Sequence, residues 1–114
     1  MKLSRLLEIP STECVLEGPE GTEFSAGYTS DLLSDVMAHA DAGSVLITIQ
    51  AHKNSVAVAS VSDLPALLIC SSRPIPEDMI EAAKQESIAI YRTDLHQYAA
   101  SVAVHALLTG EQNS

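Results

Sequence analysis

Positive charge is scarce in this 114-residue chain: six Lys and Arg stand against fifteen Asp and Glu, a formal net charge of −9. Nucleic-acid binding draws on clustered cations that displace counterions from phosphates. Here Lys2, Arg5, Lys53, Arg73, Lys84 and Arg92 are scattered along the sequence. The same acidic balance repels anionic lipid headgroups, so neither nucleic acid nor a membrane surface is an expected partner. No apolar run approaches the roughly 18 residues of a membrane span. The opening stretch "MKLSRLLEIPSTE" is charged at positions 2, 5 and 8 and lacks the apolar core of a signal peptide. Cysteine is limited to Cys14 and Cys70, both in apolar runs, which reads as two reduced thiols and a cytoplasmic location.

Aromatics are as sparse as cations. Trp is absent, and Phe24 and three tyrosines are all there is, so a core has to be built from Val, Ile, Leu and Ala. That palette suits β-branched strands under Ala/Leu helices. Catalytic signatures are missing too. The sequence has no G-x-x-x-x-G-K-[ST] loop for a nucleoside triphosphate and no G-x-S-x-G, H-E-x-x-H, C-x-x-C or G-x-G-x-x-G. The expectation is a single non-enzymatic domain over residues 1–114, with no cofactor and no metal.

What is present is a regular alternation. "KLSRLLEI" reads as a short amphipathic helix on Leu3, Leu6, Leu7 and Ile9, "ECVLEG" as a strand, and "GPEGTE" as a turn. "EFSAGY" runs as a strand into a helix that starts near Ser30 and carries Leu32, Leu33, Val36, Met37 and Ala40. "SVLITI", "PALLIC" and "IAIY" are short, wholly apolar runs of the kind buried on both faces in a parallel sheet. Between them, "NSVAVASVSDLP" fits either period, and Asn54 as a cap with Pro65 as a stop favours a helix. "PIPEDMIEAAKQES" is a helix, with Pro76 and acids in its first turn and Met79, Ile80 and Ala83 inward. "DLHQYAASVAVHALLTG" closes as a helix capped by Asp94 and Gly110, with Leu95, Tyr98, Val102 and Ala106 as its apolar stripe. Residues 111–114 are expected to fray. The predicted fold class is α/β, a three-layer α/β/α arrangement on a mainly parallel sheet of four to five strands.

In such a sheet ligands gather outside the carboxyl ends of the strands. Four segments should converge there: Gly27, Tyr28, Thr29, Ser30 and Asp31; then Gln50, His52 and Asn54; then Ser71, Ser72 and Arg73; and finally Arg92 to Asp94 with His96. Each residue has an ordinary role available. Ser30 or Thr29 can cap a helix, Asp31 can sit at the dipole of the first turn, Asn54 can cap, and Arg73 can pair with Glu77 or with a ligand phosphate. The stretch "GYTSDLLSDVM" thus reads either as a well-capped helix start or as an anion site.

That stretch, followed by "T-x-Q-x-H-x-N" on Thr48, Gln50, His52 and Asn54, resembles the DRTGG domain family over about residues 24–108. The non-catalytic N-terminal domain of HPr kinase is similar. Two departures stand out. Many members have Gly-Asp-Arg where this chain has Gly27-Tyr28-Thr29, and Thr-Gly-Gly where it has Cys70-Ser71-Ser72. The resemblance implies a regulatory or ligand-sensing module that self-associates, with no established catalysis and no kinase activity, since the P-loop domain of HPr kinase has no counterpart here. The expected partners are a second copy of the chain and a small phosphorylated or nucleotide-like effector. Two alternatives remain open at this level: a ligand-free interaction subunit of a larger enzyme or redox complex, and a small hydrolase or transferase using His52.

Overall fold

The computed structural model of the chain describes residues 1–110; the expected frayed tail lies outside them. A 3-10 helix (Leu3–Glu8) precedes β1 (Thr12–Leu16), β2 (Ala26–Thr29), α1 (Leu33–His39), β3 (Ser44–Thr48), α2 (Lys53–Val61), β4 (Ala66–Ile69), α3 (Glu77–Glu86), β5 (Ala89–Thr93) and α4 (Gln97–Thr109). One five-stranded sheet runs in the order β1-β5-β4-β3-β2. Strands β2 to β5 are parallel, and β1 joins β5 antiparallel at the edge. The α/β class, the mainly parallel sheet and its flanking helix layers are as the alternation predicts.

Because the four parallel strands lie side by side in chain order, right-handed crossovers put α1, α2 and α3 on one face. There Val36, Val56, Ala59, Met79 and Ala83 pack on Leu46, Leu67, Ile69, Ile88 and Ile90. Helix α4 has no further strand to feed and returns across the other face, packing on β2 and β3. With the 3-10 helix it covers Val45, Ile47, Ala66, Leu68, Ala89 and Tyr91, through Leu3, Leu6, Ile9, Ala100 and Val104. Every residue of β3 and β4 is buried, which is why these strands show no alternation of apolar and polar residues.

Three local readings are corrected. The first helix is 3-10, so Leu3, Leu6 and Ile9 align at three per turn while Leu7 stays exposed. Helix α1 starts at Leu33, and its N-cap Leu32 makes no side-chain cap. Helix α4 starts at Gln97, not after Asp94, and its inward stripe is Ala100 and Val104, with Ala103, Leu107 and Leu108 half-buried. Tyr98 and Val102, expected inside, are exposed. Residues 53–61 form a helix, as Asn54 and Pro65 favour, but the capping residue is His52.

Candidate functional site

The carboxyl ends of β2 to β5 do bring the predicted segments to one edge, where they separate into two clusters. The first is organised by Asp31, which lies in the β2–α1 loop rather than in the helix. Its Oδ1 accepts three hydrogen bonds, from Thr48 Oγ1 at 2.8 Å, the Ile49 amide at 2.9 Å and Gln97 Nε2 at 2.9 Å. Its carbonyl oxygen accepts from Gln50 Nε2 at 3.2 Å. Ser55 Oγ donates to the Gln50 carbonyl at 2.7 Å, and Thr48 Oγ1 accepts from the Gln50 amide at 3.1 Å. One carboxylate therefore ties together the ends of β2 and β3 and the start of α4. Charge-assisted bonds of this type are roughly twice as strong as neutral ones. The dipole role expected for Asp31 is replaced by this network.

The neighbouring residues are pulled to different sides. Ser30 forms a local turn, its Oγ accepting from the Leu32 amide at 3.1 Å, and does not cap α1. Tyr28 points to the three-helix face, where its hydroxyl donates to Asp35 Oδ2 at 2.6 Å. That bond holds the Tyr28 phenol above its ordinary pKa and the Asp35 carboxyl below its own. Gly27 and Thr29 face α4: Thr29 Oγ1 and Ser101 Oγ are 2.6 Å apart. A Cβ at Gly27 would stand 3.1 Å from Val104 Cγ1, so this glycine lets α4 approach the sheet and not a ligand.

His52 caps α2. Its Nδ1 accepts from the Asn54 amide at 3.0 Å, which leaves Nε2–H as the outward donor of the neutral ring. With the acceptor nitrogen occupied, the imidazole is set to donate to an anion and is poorly placed to take a proton as a base. This removes the specific support for a His52 hydrolase. Asn54 contributes its amide to the cap, not its side chain.

The second cluster joins the β4–α3 and β5–α4 loops. Ser71 and Ser72 are both in the left-handed region, at φ 58° and 52°. Their amides donate to the carbonyls of Leu95 and Thr93 at 2.9 and 3.0 Å. Ser71 Oγ lies 3.3 Å from His96 Nδ1, and Ser72 Oγ donates to Asp94 Oδ1. Arg73 is exposed, and among the described residues its guanidinium makes no salt bridge, to Glu77 or to any other acid. Cys70 lies buried beneath, its thiol pushed up to about 11 by burial and, secondarily, by the Asp31 charge.

Of the eleven predicted residues, Asp31, Gln50, His52, Asn54, Ser71, Ser72 and Arg73 come to the edge in usable positions, whereas Gly27 and Thr29 face α4, Tyr28 is bonded to α1 and Ser30 is taken up in a local turn. Gln97 and Thr48 were not predicted as partners of Asp31, nor Ser55 as a partner of Gln50. Gln97 had no signal, since it falls inside an apolar helix. Among the described residues every buried side-chain nitrogen and oxygen has a partner, so a ligand here would meet the exposed groups. The described residues hold no group of three metal-ligating side chains. No described helix is long and apolar enough to cross a membrane. Two larger concavities, of about 350 and 400 Å³, lie elsewhere, one beside Glu17 to Thr22 and the other beside Asp63 and Glu86.

An open α/β sheet with a polar carboxyl edge is thus the class of the molecule. No family profile matches the chain, and no curated protein matches it. Its fold is similar to a crystal structure of the CBS and DRTGG domains of the regulatory region of Clostridium perfringens pyrophosphatase, complexed with the activator diadenosine tetraphosphate. The TM-score is 0.67 at 14% sequence identity. The likeness covers 89% of this chain and 44% of that one, so this chain spans less than half of the solved regulatory region. In fold, then, it is DRTGG-like, as the stretches 27–37 and 48–54 imply.

Proposed function

We propose that this chain is a non-enzymatic regulatory module that works as a homodimer and senses a small phosphorylated or nucleotide-like effector at its carboxyl edge. The observation that carries this reading is the fold it shares with a regulatory region solved with a nucleotide activator. The chemistry of the edge supports it. His52 offers Nε2–H, Arg73 offers an exposed guanidinium, and Lys53 at the start of α2 adds charge. In a chain of net charge −9 these are the groups that make one edge tolerant of an anion.

The test is a thermal-shift titration of the pure protein with diadenosine tetraphosphate, then with mono- and dinucleotides and inorganic polyphosphate. A ligand at 100 times its dissociation constant stabilises by about 2.7 kcal/mol. For a domain of this size that is a rise of roughly 10 °C or more. The expected result is a rise that Arg73→Ala and His52→Ala each reduce. A flat response to the whole set would overturn the sensing role.

A further inference from the structure

We infer that the outward face of α4, continued by Leu7 of the 3-10 helix, is the surface on which a second copy of this chain docks. The inference rests on the homodimer in the reading above and adds its location. Helix α4 (QYAASVAVHALLT) contains no Asp, Glu, Lys or Arg, unlike α1, α2 and α3. In a chain of −9 this is an exception with a physical consequence. A two-fold contact lays the same patch against itself, so any net charge in it meets its own sign. The outer side of α3, where Glu77, Asp78, Glu81 and Glu86 outnumber Lys84, would repel a second copy; at the β1 edge Glu13 is paired with Arg92 and Glu17 remains. The face of α4 carries no carboxylate, ammonium or guanidinium.

Coverage points the same way. Three helices shield one face of the sheet, but only α4 and a six-residue 3-10 helix shield the other. On that thinner side Tyr98 is 83% exposed, Leu7 48% and Val102 43%; the three-helix side also exposes Leu32, Met37 and Val61, so it is the lack of charge that sets the α4 face apart. A 13-residue helix gives a strip about 20 Å long. A stable interface needs about 800 Å² per partner, so the strip must be extended by its flanks, and Leu7 on one side and the uncharged β2 edge on the other extend it. The occupant that such a patch fits, its only full charges among the described residues being the mutually paired Arg5 and Glu8 beside Leu7, is another copy of this chain.

Light scattering on the full chain, with Val102→Glu and Tyr98→Glu as test variants and Met37→Glu on α1 as the comparison, decides it. The expected result is a wild-type dimer, unaffected by Met37→Glu and weakened at least about a hundredfold by either α4 variant, since each places like charges face to face. Circular dichroism checks that the monomers remain folded; Tyr98 is exposed enough that its variant folds even if Val102→Glu does not. A dimer that survives both α4 variants overturns the location and leaves the homodimer standing. A wild-type monomer at all concentrations overturns both, while the effector role is judged separately by the thermal shift.

Discussion

Asp31 is the residue on which the carboxyl edge turns, and its removal is the sharpest test of that geometry. Asp31→Ala leaves the Thr48 hydroxyl, the Ile49 amide and the Gln97 side chain without their acceptor. Unpaired groups at partly buried sites cost about 1–3 kcal/mol each when water cannot replace the partner. A total loss of about 2–4 kcal/mol is expected by urea denaturation, and Asp31→Asn, which keeps one acceptor oxygen, should lose less. The thiols give a second residue-scale prediction. Cys14 is half-buried and Cys70 buried, and burial raises both thiols above their ordinary value, Cys70 to about 11. Iodoacetamide should therefore label Cys14 first, and Cys70 only as fast as the protein unfolds. A thiol whose folded pKa exceeds its unfolded one keeps its proton longer in the native state. The unfolded chain then binds fewer protons from about pH 9, and stability falls until the native thiol also ionises near 11. Tyr91, pushed up to about 12 by burial, extends the fall. Urea midpoints at pH 8, 9.5 and 11 should decline, and Cys70→Ala should flatten the first part of that decline. At this scale the sequence was only half legible. The types of residue at the edge could be read from strand ends, but not that Tyr28 points to α1, Thr29 to α4 and that Gly27 makes room for α4.

At the scale of elements, the decisive contact is between β2 and α4, elements separated by most of the chain. Gly27 has an ordinary extended backbone and needs to be glycine for room alone, because a methyl would sit 3.1 Å from Val104 Cγ1 and 3.4 Å from Ile47 Cδ1. Gly27→Ala should cost about 1–2 kcal/mol as overpacking. Val104→Ala should cost about 1–3 kcal/mol as a cavity. The double variant should lose less than the sum, because the added methyl enters the space vacated. Chemical denaturation of the four proteins measures this coupling directly, and strict additivity would mean that the two elements do not meet there. Strands β3, β4 and β5 and helix α3 were readable because their patterns are set locally: unbroken apolar runs, and acids after a proline. The register of α4 was not. Its apolar residues surround the helix, and long-range packing on β2 and β3, not its own sequence, determines which of them face the sheet. The same holds for α2, where His52 rather than Asn54 is the cap because the neutral imidazole can accept the Asn54 amide.

For the whole molecule, connectivity and charge act together. Strands in simple order send three crossover helices to one face, and the chain's final helix is left to cover the other. That asymmetry followed from the alternation of elements once the strand order was known, but strand order itself is a matter of long-range pairing that no local pattern states. The acidic balance was legible from the start, and it now acquires a direction. If two chains of −9 meet through uncharged α4 faces, the remaining charges repel across the dimer with a range set by the Debye length, about 10 Å at 0.1 M salt. Adding salt should therefore tighten self-association, while it weakens capture of an anion by Arg73 and His52, which depends on attraction. Unfolding coupled to dissociation also makes the midpoint depend on protein concentration. Thermal midpoints measured over a hundredfold range of concentration, at 50 mM and 500 mM sodium chloride, should rise with concentration at both salts, with the apparent dimer dissociation constant lower at the higher salt. The effector's stabilisation should move the opposite way. A midpoint independent of concentration would show a monomer, and a dimer loosened by salt would show that ion pairs, not the uncharged helix, hold the copies together.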